Sequence, residues 1–172
     1  MRILVTGGAG YVGSHCVRDL CAAGHGVVVL DSLIKGHRAA VDSRAERVVG
    51  DVGDAAFLSD LLAARKFDGV MHFAALAEVG ESVQSPLRYY RSNVSNSLSL
   101  LEAMRAHGVY RLVFSSSCAV YGVPPVVPIT EDVPLAPISP YGRTKLIIEW
   151  AMADCCQAWG LGATSLRYFN AA

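Results

Sequence analysis

The sequence has no excess of charge of either sign, because its 15 lysines and arginines are matched by 15 aspartates and glutamates in 172 residues. A protein that binds nucleic acid or an anionic membrane by electrostatics needs a concentration of positive charge. The sequence also has no apolar run near the roughly 18 residues of a membrane-spanning helix, and its N-terminus has no signal-peptide pattern. These absences predict no nucleic-acid partner and no membrane, and they favour a small-molecule partner.

Patterns typical of metal sites and disulfide frameworks are lacking too. The five cysteines form no CxxC pair and no Cys/His ligand spacing, and the five histidines are scattered without a shared face. We therefore predict no metal site, and reduced thiols that are typical of a cytoplasmic protein. The chain also has no internal repeat, low-complexity tract or linker, so its 172 residues predict one domain.

What the sequence does have is a regular alternation of short β-branched runs and helical patterns. Strand patterns lie at 2–6, 26–31, 46–51, 69–74, 110–117 and 163–169, and helical patterns lie at 11–24, 54–65, 86–107 and 140–160. Strands of continuous apolar character are typical of a parallel sheet buried on both faces. We predict an α/β fold: a doubly wound, Rossmann-like parallel sheet with strand order 3-2-1-4-5-6 and helices on both faces. The remaining long segment, 119–139, contains five prolines and predicts a loop.

A glycine-rich turn follows the first predicted strand and opens the first predicted helix. In TGGAGYVGSH, at 6–15, Gly7, Gly10 and Gly13 have the GxxGxxG spacing. Glycines permit a tight turn and let backbone N–H groups approach a pyrophosphate, whose charge the helix N-terminus favours. This context favours a dinucleotide site over the alternative of a glycine turn without a ligand.

Two aspartates end neighbouring strands at the same edge of the predicted sheet. Asp31 ends the second strand, where its carboxylate can accept hydrogen bonds from the ribose hydroxyls of an adenosine and would repel the 2′-phosphate of NADP. The predicted cofactor is therefore NAD, although the nearby Lys35 and Arg38 leave NADP open. Asp51 follows the third strand, and both of its interpretations, a cofactor contact or a turn aspartate, stay open.

A tyrosine and a lysine one helical turn apart form the candidate catalytic pair. Tyr141 and Lys145, in SPYGRTK, share a face of the helix predicted at 140–160. A nearby ammonium lowers the pKa of a phenol and so produces a general base for a sugar or alcohol hydroxyl. The alternative is an ordinary helix start with a solvated lysine. Three serines at 115–117 favour the chemical interpretation, because they end the fifth strand at the edge where such sheets bind ligands.

These motifs together resemble those of a known family. TGGAGYVGSH, VVLDSL, GDV, HFAA with VGESV, YYRSNV, FSSSCAVYG, SPYGRTK and LRYFN occur in the order found in extended short-chain dehydrogenases/reductases, with the greatest similarity to the nucleotide-sugar 4-epimerases among them. The resemblance implies NAD contacts from Gly7, Gly10, Tyr11, Val12, Gly13, Asp31, Asp51, Val52, Phe73, Ala74, Ala75, Asn93, Ser115, Tyr141, Lys145 and Tyr168. It implies that Ser117, Tyr141 and Lys145 are catalytic, and that Ser117, Tyr141 and Asn170 contact the substrate.

The activity that the resemblance implies is epimerisation at C4 of a UDP-hexose such as UDP-galactose or UDP-glucose. Tyr141 would remove the proton from the sugar O4 while C4 gives a hydride to NAD, and the hydride would return to the other face of the 4-keto sugar. Ser117 would hydrogen-bond the reacting hydroxyl, and Lys145 would bind the nicotinamide ribose. Related dehydratases have Asp-Glu where this chain has Cys118-Ala119, so we do not expect an elimination reaction.

The resemblance also bears on domains and partners. Family members continue into a smaller domain that binds the uridine nucleotide, and we expect residues 1–172 to be the NAD-binding catalytic domain without it. One alternative is therefore an NAD-binding module without catalysis of its own, and another is an epimerase for UDP-N-acetylglucosamine or UDP-glucuronate. Ala77 stands where many epimerases have a lysine that contacts the cofactor. The helices at 86–107 and 140–160 are similar to those that pair two family subunits, which predicts a homodimer.

Overall fold

One fully parallel sheet of six strands organises the chain, in a computed structural model that describes residues 1–171. The strands are β1 (Arg2–Thr6), β2 (Gly26–Asp31), β3 (Glu46–Val49), β4 (Gly69–His72), β5 (Arg111–Ser117) and β6 (Gly162–Tyr168). Their order across the sheet is β3-β2-β1-β4-β5-β6, and every neighbouring pair is parallel. This order confirms the predicted doubly wound, Rossmann-like fold.

Six α-helices connect or flank these strands. They are α1 (Tyr11–Ala22), α2 (Ala55–Ala64), α3 (Val79–Gln84), α4 (Pro86–Tyr89), α5 (Asn96–Ala106) and α6 (Pro140–Trp159). The helix predicted at 86–107 is interrupted, because a π-helix at Tyr90–Ser95 joins α4 to α5. Helix α3 was not predicted. Within residues 1–171, no helix combines the length and the apolar character needed to cross a membrane.

The sheet is buried on both faces, as its continuous apolar strands predict. Leu4 of β1 packs in a core with residues of α2, α5 and α6, such as Leu58 and Leu100. Its neighbours Ile3 and Val5 point the other way, into a second core with α1. Alternate residues of one strand therefore hold helices on opposite faces of the sheet, and all six strands end at the same edge.

Local sequence signals define the ends of the helix that carries the candidate catalytic pair. The Ser139 hydroxyl caps the N-terminus of α6 by accepting a hydrogen bond from the Gly142 N–H at 3.1 Å, and Pro140 occupies the first helical position. Gly160 ends the helix with a left-handed φ of 75°. The proline-rich segment before α6 is irregular from 122 to 138, which confirms the predicted loop, and a short 3₁₀ turn, Cys118–Tyr121, precedes it.

Candidate functional site

The glycine turn lies at the carboxyl edge of the sheet between β1 and α1. Gly7 has a φ of 72°, and a Cβ atom there would lie only 2.5 Å from the Ala74 backbone nitrogen. A Cβ on Gly13 would lie 2.3 Å from the Gly7 carbonyl oxygen. Side chains at these two positions would therefore disturb the backbone of the turn and of the loop that follows β4. The glycines create a cradle in which backbone N–H groups are accessible to a ligand.

The N-terminus of α1 faces this cradle without a competing negative charge. Its cap residue, Gly10, has no side chain, and no acidic residue lies in the first turn. The first intrahelical bond runs from the Ser14 N–H to the Gly10 carbonyl at 2.9 Å, so the amides of Tyr11, Val12 and Gly13 precede it. An anionic group such as a pyrophosphate is favoured at such a terminus.

A groove opens beside the cradle along the ends of β1, β2, β3 and β4. Eight of the predicted cofactor residues line it: Gly7, Gly10, Asp31, Asp51, Val52, Phe73, Ala74 and Ala75. The Asp31 carboxylate accepts hydrogen bonds from the Ala9 N–H at 2.9 Å and the Leu33 N–H at 2.8 Å. Both of its oxygens are thereby held at the groove wall with lone pairs still available, which suits them to accept from the hydroxyls of a ribose.

Asp51 serves as a turn aspartate and also lines the groove. Its Oδ1 accepts a hydrogen bond from the Gly53 N–H at 2.8 Å, and the Asn96 side-chain amide lies 3.3 Å from the same oxygen. The two interpretations that the sequence left open are therefore compatible. A Cβ on Gly53 would lie 2.6 Å from the Asn96 Oδ1, so the small residue lets helix α5 approach this turn.

The two basic residues that left NADP open are placed differently. Lys35 lines the groove, but its Nζ forms an ion pair with Glu78 Oε1 at 2.7 Å. Arg38 lies beside a separate small cavity behind Asp31, with Val41 among its neighbours. The groove itself therefore presents the Asp31 carboxylate at the end of β2, an arrangement that suits a ribose hydroxyl better than a phosphate.

The candidate catalytic residues meet at the end of β5. Ser117 is the last residue of that strand, and its hydroxyl lies near enough to the Tyr141 phenol to lower the pKa of that group. Close packing of α6 against the turn after β5 makes this possible, because a Cβ on Gly142 would lie 2.6 Å from the Ala119 carbonyl oxygen. The Ser82 hydroxyl of α3 also accepts a hydrogen bond from the Tyr141 N–H at 3.2 Å. Strand, turn and two helices thus fix the position of the phenol.

Lys145 is the most unusual charged residue of the site, since its side chain is buried with a relative exposure of 3%. Its Nζ donates a hydrogen bond to the Ser115 carbonyl at 2.7 Å and lies 4.8 Å from the centre of the Phe114 ring. Burial lowers the pKa of this ammonium to about 7. The Nζ lies 5.8 Å from the centre of the Tyr141 ring, which confirms that the two residues share one face of α6.

One expectation about this pair needs correction. We expected the lysine to lower the pKa of the Tyr141 phenol, but in the protein alone burial raises that pKa, while the hydrogen bond from Ser117 opposes the rise. The physical reason is burial, since Tyr141 has a relative exposure of 9%. The charged form of the phenol loses its solvation by water, and the neighbouring protein groups do not fully replace that solvation. A further positive charge near the phenol is needed to make it a base near neutral pH.

Ten of the predicted residues do not line the groove: Tyr11, Val12, Gly13, Asn93, Ser115, Ser117, Tyr141, Lys145, Tyr168 and Asn170. Asn93 is buried, and its side-chain amide is used by the Leu76 backbone and by Thr144. Tyr168 pairs with Ser117 in the sheet register, but its side chain lies beside Val12, Cys16 and Met71 in a separate cavity, where burial raises the pKa of its phenol. Ser115 offers its carbonyl to the catalytic lysine. Asn170 lies in the exposed segment after β6.

The sequence analysis did not identify several residues that line the groove, nor Ser82, which contacts the backbone of Tyr141. Arg88, Ser92 and Asn96 line the groove at intervals of four residues, a spacing that could have identified them as one helical face. Leu30, Ser32, Ile34, Gly36, Gly50 and Leu76 also line it, and most of them directly adjoin predicted residues. Ser82 had no such signal, because α3 is too short to show a helical period.

No group of three or more histidine, cysteine, aspartate or glutamate side chains in the described part of the chain is arranged to hold a metal ion. The site thus combines two parts. One is a groove with a glycine cradle and a carboxylate, and the other is a buried phenol, a buried ammonium and a serine hydroxyl at the end of β5, the strand beside β4. This arrangement can bind a dinucleotide and can move a proton to or from a hydroxyl group at the phenol oxygen.

Known proteins are similar to this chain over nearly all of its length. The model of the NAD dependent epimerase/dehydratase family matches residues 3–172. The UDP-glucose 4-epimerase of Lactobacillus helveticus is 54% identical over 172 residues, which are all of this chain and 52% of that protein. The crystal structure of UDP-glucose 4-epimerase from Brucella ovis in complex with NAD superposes with a TM-score of 0.96 at 48% identity, covering 98% of this chain and 52% of that one.

A third similar structure is the UDP-Glc/GlcNAc 4-epimerase from Campylobacter jejuni, with a TM-score of 0.95 and 40% identity over 98% of this chain and 53% of that one. The chain spans about half the length of the curated relatives it matches. With the fold, the glycine cradle and the Ser117, Tyr141 and Lys145 cluster in place, the match to residues 3–172 establishes that the chain belongs to the NAD-dependent epimerase/dehydratase family.

Proposed function

We propose that this chain binds NAD and carries the catalytic residues for epimerisation at C4 of a UDP-hexose, such as UDP-galactose or UDP-glucose. The observation that carries the proposal is the cluster of Ser117, Tyr141 and Lys145 at the end of β5, adjoining a groove built for a dinucleotide. Curated relatives that are 54% and 52% identical to this chain are named UDP-glucose 4-epimerases, which supports epimerisation as the reaction.

The residues of the groove fit NAD. The cradle at Gly7, Gly10 and Gly13 and the amides of Tyr11 and Val12 would hold the pyrophosphate. Asp31 would hold the ribose of the adenosine, and Asp51 and Val52 would adjoin the adenine. Phe73, Ala74 and Ala75 would form the opposite wall. When bound, NAD supplies the hydride acceptor and donor, together with the positive charge of its nicotinamide.

The other steps belong to the residues of the chain. Tyr141 would remove the proton from the O4 hydroxyl of the sugar and return it after the 4-keto stage. Ser117 would hydrogen-bond the same oxygen, which aligns the proton with the phenol. Lys145, held by the Ser115 carbonyl, would bind the nicotinamide ribose and keep positive charge near the phenol. Burial would exclude water from the proton transfer.

The substrate and the domain organisation remain part of the proposal. Residues 1–172 would form the NAD-binding catalytic domain, and the uridine nucleotide would be bound by a further domain of the kind found in family members. Asn170 would contact the sugar nucleotide. The candidate substrates are UDP-glucose, UDP-N-acetylglucosamine and UDP-glucuronate. The similar Campylobacter jejuni enzyme is named a UDP-Glc/GlcNAc 4-epimerase, which includes two of these three.

A second candidate is an NAD-binding module without catalysis of its own. It is favoured by one observation, namely that the groove is lined by predicted cofactor residues and by none of Ser117, Tyr141 and Lys145. Calorimetry with NAD and, separately, with UDP-glucose distinguishes the two candidates. A module without a substrate site would bind NAD and not UDP-glucose.

We also propose a homodimer formed through the helical region 86–107 and the helix at 140–160. The support is three large apolar side chains of these segments that are exposed: Leu87, Leu98 and Trp150 have relative exposures of 69%, 41% and 59%. Where exposed apolar side chains form a patch, the patch often marks a protein contact. The five thiols are free in the structure, in keeping with the proposed cytoplasmic location.

The proposed activity is tested by incubating the protein, as its gene encodes it, with UDP-galactose and measuring UDP-glucose. The matched control is Tyr141→Phe, which keeps the ring and the helix but removes the phenol oxygen. We expect turnover in the wild type and a loss of at least about a hundredfold in the variant, with NAD still bound. Turnover retained in Tyr141→Phe would remove that residue from the role of base. A wild type that binds NAD and UDP-glucose without turnover would refute the proposed reaction.

A further inference from the structure

A continuous line of buried hydrogen bonds runs from the glycine turn toward the catalytic helix. It begins at Thr6, the residue before Gly7, whose Oγ1 lies 2.6 Å from Nδ1 of His72 at the end of β4. The other ring nitrogen of His72 lies 2.8 Å from Ser97 Oγ on α5. The Ser97 hydroxyl then donates to the Asn93 backbone carbonyl at 2.5 Å. All four residues have relative exposures of 3% or less.

The number of available protons determines which group donates in each hydrogen bond of this line. Ser97 has a single hydroxyl proton, which it gives to the Asn93 carbonyl, so the Nε2–H of His72 must donate to Ser97. Nδ1 of the neutral ring must then accept from the Thr6 hydroxyl. Burial, and in second place the charge of Lys145, lower the pKa of His72 to about 3, so the ring keeps this neutral form at working pH.

The line continues through Asn93 to the residues around the candidate catalytic pair. The Asn93 side chain exchanges two hydrogen bonds with the Leu76 backbone, at 2.8 and 3.0 Å, and so holds a wall of the groove. Its Nδ2 also donates to Thr144 Oγ1 at 3.1 Å, and the Thr144 hydroxyl donates to the Tyr141 carbonyl at 2.7 Å. Thr144 directly precedes Lys145, so the line ends on the helix backbone that carries both Tyr141 and Lys145.

A second contact joins His72 to the same lysine. The imidazole stacks on the Phe114 ring, with centroids 5.8 Å apart and planes at 26°, and the Lys145 ammonium lies 4.8 Å from that ring centre. Asn93 itself lies in the π-helix Tyr90–Ser95, a conformation that occurs frequently at functional sites. His72 is thus the point at which β1, β4, β5 and α5 are connected through polar or aromatic contacts.

We propose that His72 is a positioning residue: through Ser97, Asn93 and Thr144 it sets the position of the Tyr141 and Lys145 pair relative to the cofactor groove. The inference rests on the proposed function, since it concerns the geometry of that reaction. His72 lines no part of the groove, and every hydrogen bond of its side chain belongs to the line described here. The line connects the two parts of the site that must be aligned, the turn beside the pyrophosphate position and the base.

The test compares variants that break the line with variants that preserve it. Ser97→Ala removes the central hydroxyl and leaves the His72 Nε2–H without an acceptor, whereas Ser97→Thr keeps the hydroxyl. His72→Phe keeps a ring against Phe114 without either nitrogen. Val70→Ala is the matched stability control, because Val70 is a buried residue on the same face of β4 and takes no part in the line. Each variant is prepared as the whole gene product, and its kcat and KM for UDP-galactose and its unfolding midpoint are measured.

We expect Ser97→Ala and His72→Phe to lower kcat at least fivefold while KM changes less than twofold, and Ser97→Thr to keep kcat within twofold of the wild type. Val70→Ala should keep kcat within twofold even where it lowers the unfolding midpoint by as much as the other variants. A kcat within twofold in Ser97→Ala, or an equal loss in Val70→Ala at equal stability, would overturn the inference.

Failure of the proposed function gives a different result. A wild type that binds NAD but does not turn over UDP-galactose refutes the reaction. The NAD affinity of the same variants is then measured by calorimetry. An affinity that is fivefold weaker in Ser97→Ala, and unchanged in Ser97→Thr and Val70→Ala, supports the inference that the line aligns the groove wall. An unchanged affinity in Ser97→Ala overturns it.

Discussion

Replacing the buried lysine of the site by methionine should make the nucleotide-free protein more stable at low pH. In Lys145→Met the alkyl chain is kept and the ammonium is lost. Burial lowers the pKa of the lysine from the ordinary 10.5 to about 7, and each pKa unit corresponds to about 1.4 kcal/mol, so charging this group in the fold costs about 5 kcal/mol. Loss of the hydrogen bond to the Ser115 carbonyl offsets about 1–3 kcal/mol of the gain. A net stabilisation of about 3 kcal/mol below pH 7 follows.

The sign of the pH dependence is opposite to that of a group stabilised in its charged form. Below pH 7 the lysine is charged in both the folded and the unfolded chain, and the full cost of burial is present. Between pH 7 and 10.5 the unfolded chain binds the proton and the folded chain does not, so the wild-type free energy of unfolding rises by up to about 1.4 kcal/mol per pH unit from this group. The methionine variant lacks this rise, and its advantage should disappear toward about pH 9.5.

Urea denaturation of both proteins at several pH values from about 6 to 9.5 measures this difference. Other titrating groups act on both proteins and cancel in the subtraction. Lys66→Met, at an exposed lysine, is the matched control for the same substitution without burial. A difference between Lys145→Met and the wild type that stays constant over this range would refute the reasoning, because it would mean that the ammonium is not desolvated as in the structure.

Three further predictions concern the groove and the edge of the sheet. Gly7→Ala should weaken NAD binding more than tenfold in calorimetry and destabilise the fold by about 1–3 kcal/mol, because its left-handed φ and the adjoining backbone leave no room for a Cβ. Asp31→Ser should raise the affinity for NADP relative to NAD in the same assay, since the carboxylate that repels a 2′-phosphate is gone. Glu149→Gln should cost about 3 kcal/mol in urea denaturation, because the partly buried Arg167 loses its paired charge, whereas Asp19→Asn at an exposed pair should cost less than about 1 kcal/mol.

The sheet order and most element positions could be predicted because they depend on local pattern. Apolar strand runs such as GVVVLD at 26–31 and the glycine turn at 6–15 specify buried parallel strands and their first crossover without knowledge of distant contacts. Ser139-Pro140 predicted the start of the helix at 140–160, and in the structure Ser139 caps that helix. The predicted groove residues adjoin strand ends, which parallel topology brings to one edge.

What could not be predicted depends on contacts between distant parts of the chain. The π-helix at Tyr90–Ser95 is held by Asn93 bonds to Leu76 and Thr144, which are far away in sequence. The rise in the pKa of Tyr141 comes from burial of its phenol, which a spacing of four residues does not reveal. The network of Ser116, Glu149 and Arg167 likewise forms only when β5, β6 and α6 meet.

The central claim, oxidation and reduction at C4 with Tyr141 as the base, is tested most directly with UDP-galactose that carries deuterium at C4. Mass spectrometry and NMR of the UDP-glucose formed by the whole gene product locate the label. The account predicts that the deuterium remains at C4 of the product, because the hydrogen would leave and return as a hydride, which does not exchange with water. It also predicts that Tyr141→Phe forms the labelled product at least about a hundredfold more slowly. Exchange of the C4 deuterium with solvent hydrogen would contradict the account.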